Sequence, residues 1–150
     1  MYNIFKDYVV DNEKIKNNKK VIFYPVTIDE INSAENQMNK QFPDSIKQFY
    51  LEVGWGFFED ESKSFINLLM SPSDIADFYC AKGNYVYAEE REFLEENEFV
   101  FFEVDANCHI TLNLVNSSED GIYFGTDKIA ENLIDFVKKM SENSNYYDDI

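Results

Sequence analysis

The side chains best suited to acid–base or nucleophilic chemistry in this 150-residue chain are one histidine, two cysteines and 29 carboxylates. His109 follows Cys108 directly. Neighbours in an extended strand point to opposite faces, so that dipeptide makes no catalytic dyad. One histidine and the widely separated Cys80 and Cys108 lack the ligand spacing of a zinc site. No partner in sequence orients His109 as a base, and it is read as a structural residue. Gly54-Trp55-Gly56 follows a helical pattern instead of a strand, with no Lys-Ser/Thr behind it, so it is no phosphate loop. No Gly-x-Ser-x-Gly elbow occurs. Asp60, Glu61 and Ser62 lack the spaced ligands and central glycine of a calcium loop. Carboxylates are so abundant that no pair stands out as an acid and a base. These residues describe a chain that is not an enzyme and calls for no cofactor or metal.

Charge is the stronger signal. Against its 29 acids the chain sets 13 Lys and Arg, a formal net charge of −16. The excess is uneven: residues 85–150 hold 16 acids and 4 bases, whereas residues 1–84 hold 13 and 9. Such a field repels nucleic acid and anionic membranes and favours basic partners. The basic cluster Lys14, Lys16, Lys19 and Lys20 reads as a solvated helix end. Acid is densest from residue 89 to residue 98, where Glu89, Glu90, Glu92, Glu95, Glu96 and Glu98 face a single Arg91. On a helix these side chains would repel one another at i, i+3 and i+4. Two explanations remain open: solubility, and contact with a basic partner.

Cysteine usage fits free thiols in a reducing cytoplasm, since one possible pair is no disulfide framework. Met1-Tyr2-Asn3-Ile4-Phe5-Lys6-Asp7 shows no apolar core of a secretion signal, and no run of 18 apolar residues could span a membrane. A cytoplasmic protein is expected.

Behind these residues stand elements able to position them. With 45% hydrophobic and 17% aromatic residues, the chain can bury a core as one domain over 1–150, with its body at about 27–140 and a frayed tail at 141–150. Residues 2–16 show helical spacing, and Val21-Ile22-Phe23-Tyr24 reads as a strand closed by Pro25. Thr27-Ile28-Asp29-Glu30 is a capping box for a helix with Ile31, Ala34 and Met38 on one face. A second helix opens at Pro43-Asp44, carries Ile46, Phe49, Tyr50 and Val53, and ends at Gly54 as a left-handed cap. Phe57-Phe58 and residues 65–70 form a hairpin around the acidic turn Glu59-Asp60-Glu61. Ser71 caps a helix with Pro72 in its first turn, running to about Ala81. Residues 85–97 read as a further, heavily acidic helix. Residues 99–104 and 109–115 form a hairpin, residues 122–124 a short strand, and Thr126 caps a last helix with Ile129, Leu133, Val137 and Met140 aligned. Helices at both ends and hairpins between them give an α+β domain with a mainly antiparallel sheet.

The run Ile28-Asp29-Glu30-Ile31, Ala34-Glu35, Phe42-Pro43, Ile46, Phe49-Tyr50 and Gly54-Trp55-Gly56 resembles the N-terminal signature of the SUKH superfamily. That signature is a helix with an Ala-Glu pair, an apolar residue and proline, a second amphipathic helix, and a Gly-aromatic-Gly turn. The later strands and the final helix follow the family order, and the likeness extends from about Thr27 to Met140. The resemblance implies an α+β fold without catalysis. It gives Pro43, Gly54, Trp55 and Gly56 architectural roles: Pro43 starting a helix, the glycines permitting the turn, and Trp55 packing beneath it. It also implies partner binding. Bacterial members are mostly immunity proteins that neutralise a cognate secreted toxin, frequently a nuclease; yeast members are partner-binding regulators of cell-wall synthesis.

Two functions follow as expectations. One is an immunity protein occluding the basic active-site surface of its toxin, with Glu59, Asp60 and Glu61 and the segment from Glu89 to Glu98 as contact regions. The other is a regulatory or scaffold module for an endogenous partner.

Overall fold

A computed structural model describes residues 21–58 and 65–149. Among these, seven strands form one sheet whose order in space is their order in sequence, each antiparallel to the next. The strands are β1 (Val21–Tyr24), β2 (Trp55–Phe58), β3 (Leu68–Leu69), β4 (Glu98–Asp105), β5 (Cys108–Val115), β6 (Ser118–Phe124) and β7 (Asp127–Ala130). Helices α1 (Ile28–Met38) and α2 (Asp44–Glu52) lie between β1 and β2, α3 (Pro72–Cys80) follows β3, and α4 (Leu133–Glu142) follows β7. This is the α+β, mainly antiparallel architecture that the sequence leads one to expect.

The capping box forms as read. The Thr27 hydroxyl oxygen accepts the Glu30 N–H at 3.2 Å, and the Glu30 carboxylate accepts the Thr27 N–H at 3.4 Å. The Ala-Glu pair of the motif acquires a physical reason. Ala34 is buried on the core side of α1, while Glu35 accepts the Phe42 N–H at 2.9 Å and pairs with Lys47 at 3.1 Å. One carboxylate thus ties α1 to the loop and helix that follow it. Pro43 stands at the N-cap of α2, which buries Ile46, Phe49 and Tyr50.

Gly54 and Gly56 are required by the approach of β2 to β1. A Cβ at Gly56 would lie 1.8 Å from the Ile22 carbonyl oxygen, and one at Gly54 would lie 1.9 Å from that of Tyr24. Gly54 has a φ of 134°, outside the left-handed helical region, so close backbone approach replaces the expected cap geometry. Trp55 is half-buried and stacks on its cross-strand partner Tyr24, with ring centroids 4.8 Å apart.

The core is largely aromatic. Phe23 meets Phe49 of α2 edge-on at 5.4 Å, and Phe102 of β4 meets Phe136 of α4 at 5.1 Å. The register of β4 on β5 shifts between Val100 and Phe102, and both Phe101 and Phe102 reach Phe136.

Several elements differ from the sequence reading. Residues 85–97 form no α-helix; they run as two 3₁₀ turns, Gly83–Tyr85 and Glu89–Phe93, with irregular chain between and after. Crowded glutamates oppose an α-helix there, and no residue of the second turn is buried to offset them. Ile129 belongs to β7, and α4 is capped by Asn132, whose side chain accepts the Asp135 N–H at 2.9 Å, not by Thr126. β3 is only two residues long, because the Ile66 and Asn67 amides both turn to the Val104 carbonyl and Asn67 takes a φ of 47°. The tail is docked where fraying was expected: Tyr147 is buried and donates its hydroxyl to Asn67 Oδ1 at 2.6 Å, while Asn67 Nδ2 donates to the Ser144 carbonyl at 3.1 Å. The helix read at residues 2–16 lies outside the described residues.

Candidate partner-binding surface

The acidic segment is built on a few inward anchors. Tyr85 is buried and donates its hydroxyl to Glu103 of β4 at 2.6 Å, and Ala88 is buried beside it. Arg91, the one cation of the segment, turns inward. Its guanidinium donates to the carbonyl oxygens of Phe78 and Tyr85 and lies 5.6 Å from the Phe78 ring centre. Glu90 also turns inward, accepting the Nδ1–H of His109 at 3.0 Å. A carboxylate can only accept, so this contact places a proton on Nδ1. Glu98, on β4, accepts the Glu95 N–H at 3.1 Å and closes the segment.

What remains faces outward. Glu89, Glu92, Glu95 and Glu96 are exposed. Beside them stand Tyr87, 88% exposed, and Phe93, 80% exposed. Val86 adds a partly exposed apolar side chain. With Arg91 folded beneath, the segment exposes four negative charges and two bare aromatic rings and no cation of its own. An interface with charged approach and aromatic anchors has this composition.

The sequence-selected residues therefore divide. Of the six glutamates in the segment, four are exposed, while Glu90 and Glu98 are spent on internal bonds. Glu59, Asp60 and Glu61 lie outside the described residues, as does the lysine cluster at 14–20. Gly54, Trp55 and Gly56 sit where α2 passes into β2, and Pro43, at the N-cap of α2, lines a groove shared with Glu96 and Glu98. Sequence reasoning missed Tyr87 and Phe93. Their signal was present, since aromatics interrupt a run of glutamates, but a helical reading of that run assigns aromatic side chains to the core.

His109 and Cys108 behave as sheet residues. The His109 ring packs against Phe78 with centroids 5.0 Å apart, and His109 pairs across the sheet with Glu103. Burial, then Glu90, Asp105 and Asp148, push the Cys108 thiol up from its usual range, which keeps it protonated at neutral pH. Among the described residues no three His, Cys, Asp or Glu side chains are grouped to hold a metal ion, and no helix is long and apolar enough to cross a membrane.

Comparison with known proteins adds kinship to this geometry. The chain is 32% identical over 139 residues to a Bacillus subtilis (strain 168) protein named "Immunity protein YxxD", covering 91% of this chain and 94% of that one. No solved structure matches it. Residues 25–139, from the loop after β1 to the last turn of α4, match the SMI1/KNR4 family, SUKH-1, and with both likenesses covering most of its length the chain belongs to that family.

Proposed function

We propose that this chain is an immunity protein that binds a cognate protein toxin and neutralises it by covering a basic surface of that toxin. The observation that carries the reading is the exposure, within residues 86–96, of Glu89, Glu92, Glu95 and Glu96 together with the aromatic side chains Tyr87 and Phe93. Kinship to a protein named as an immunity protein supplies the partner class. The glutamates steer a basic partner in, and the rings anchor it once water is expelled. A nuclease fits best among toxins, because its phosphate substrate demands the positive surface that a −16 chain complements. The same charge disfavours direct binding to nucleic acid or an anionic membrane. Neutralisation takes place in the cytoplasm, where free Cys80 and Cys108 stay reduced.

Co-expression with the catalytically inactivated product of the neighbouring gene, followed by capture on the tagged chain, tests this directly. Stoichiometric, salt-sensitive capture of a basic toxin domain, with growth rescued from the active toxin, is the expected result. Capture of an endogenous protein alone, without rescue, overturns it in favour of a regulatory scaffold.

A further inference from the structure

Residues 83–127 hold a single Lys or Arg. That residue, Arg91, stands amid glutamates and pairs with no carboxylate among the described residues; its donors go to the backbone. At the end of α3 the Ala81 and Lys82 amides both donate to the Asp77 carbonyl. The Phe78 carbonyl thereby loses the Lys82 amide that a continuing helix would bring to it, and Arg91 Nη1 fills the place. The same nitrogen donates to the Tyr85 carbonyl at 3.2 Å, and the guanidinium lies 5.6 Å from the Phe78 ring centre. The last turn of α3 has no basic residue of its own, so the charge also suits the helix end. One half-buried cation thus ties residue 91 to a helix that buries Ile75, Ala76 and Phe78.

The segment needs such a tie. Between Gly83 and Asn97 only Tyr85 and Ala88 are buried, and the Glu89–Phe93 turn buries no side chain. Glutamates that repel one another favour an expanded chain, and neither an α-helix nor a sheet ladder holds the backbone there. Tyr85 on Glu103 fixes the start of the segment, and Glu95 on Glu98 fixes its end. Between them, the described side-chain hydrogen bonds to the body are those of Arg91 and of Glu90 with His109.

We propose that Arg91 is a positioning residue for toxin binding: without touching the toxin, it holds residues 86–96 in the conformation that the toxin recognises. The inference rests on the immunity reading and says how the acidic segment is made ready. A toxin that meets a held segment does not have to order it, and affinity falls in proportion to the fraction of chains in the competent conformation. Charge alone predicts the opposite sign. Removing Arg91 makes a −16 chain more negative and, by steering, quickens the approach of a basic toxin. Positioning predicts that the same change weakens binding.

Two variants of the full chain test it. Arg91→Met keeps an unbranched stem beside the Phe78 ring and removes the charge and the donors; Arg91→Lys keeps the charge and a donor nitrogen. In the free chain, hydrogen exchange is read at the Ala88 and Glu95 amides, which donate to the Tyr85 carbonyl and the Glu98 carboxylate. In Arg91→Met it should quicken about tenfold or more there, while β4 and β5 keep their wild-type exchange. The Kd for the catalytically inactivated product of the neighbouring gene should rise about tenfold or more, with Arg91→Lys between Arg91→Met and wild type. A side chain that only stabilised the fold would quicken exchange in β4 and β5 as well and leave the Kd of the folded variant unmoved; one acting through charge alone would lower the Kd. Either pattern overturns the inference, as does unchanged exchange at Ala88 and Glu95, and the immunity reading then stands because the wild-type chain still captures the toxin. No capture by the wild-type chain overturns the immunity reading, and the inference with it. If Arg91→Met does not fold, Arg91→Gln takes its place under the same criteria.

Discussion

Asp74 and Asp135 stand in helix first turns and carry opposite costs. The Asp74 carboxyl is raised by burial against the Ser71 bonds, with Asp77 adding to the rise. Its folded state binds a proton more readily than the unfolded chain, so the stability it contributes is present below the unfolded value of 3.8 and lost as pH rises through the folded one. Asp74→Asn should therefore raise the Tm at pH 7, and the gain should shrink as pH falls toward 3.8; a lower Tm at neutral pH would contradict this account. Asp135 is the reverse. Burial works against its charge, but the Glu131 N–H and Lys139 hold the carboxyl below its usual range. That stability is present above 3.8 and lost as pH falls through the lowered folded value, so Asp135→Asn should lower the Tm at pH 7 and make little difference in stronger acid. Asn67 carries a third residue-scale prediction. It accepts from Tyr147, donates to the Ser144 carbonyl and holds a φ of 47° that Asn tolerates well. Asn67→Ala should cost about 3 kcal/mol in denaturant unfolding and release the docked tail to proteolysis. Resistance equal to wild type would show that other contacts hold the tail.

At the scale of elements, the β1–β2 contact is the least forgiving. Gly56→Ala places a methyl 1.8 Å from the Ile22 carbonyl oxygen and should abolish soluble expression, a loss above about 4 kcal/mol. Gly125→Ala, with open space around it but a φ of 64°, should cost only about 1 kcal/mol, so the pair separates close approach from backbone preference. The Thr27 capping box and the Ser71-Pro72 helix start were legible because each is a local rule written in neighbouring residues, whereas the reason for Gly54 and Gly56, the approach of β1, lies about 30 residues away. What was not legible follows from competition between local signals and distant packing. Asn116 and Ser117 both take positive φ, 51° and 67°, and turn β5 into β6, but the polar run Ser118-Glu119-Asp120 disguises that strand. Ile129 falls in phase with Leu133, Val137 and Met140 and so joins a helical stripe on paper, yet it pairs as β7. The acidic segment shows the same limit. Its charge was plain, but its course depends on Tyr85 meeting Glu103, Arg91 meeting two carbonyls and Glu90 meeting His109, contacts of which the last spans 19 residues. Those three contacts decide which glutamates face out, and they leave Tyr87 and Phe93 bare.

For the molecule as a whole, charge and anchors act on different steps of binding. Tyr87→Ala and Phe93→Ala should leave the Tm within about 1–2 °C of wild type, since neither ring is buried, while speeding toxin dissociation by roughly tenfold or more each. The glutamates should act on association instead. The central claim is that the outward face, and not merely the net charge of −16, receives the toxin. The most direct measurement is the association rate with the inactivated toxin at low and at physiological salt. One variant reverses Glu89, Glu92, Glu95 and Glu96 to Lys, and a control reverses the exposed Asp29, Asp44, Asp127 and Glu142, changing the net charge equally. The account predicts that association of the first variant at low salt falls on the order of 10- to 100-fold with its salt dependence flattened, while the control falls no more than about threefold. An equal fall in both, or none in the first, would contradict it.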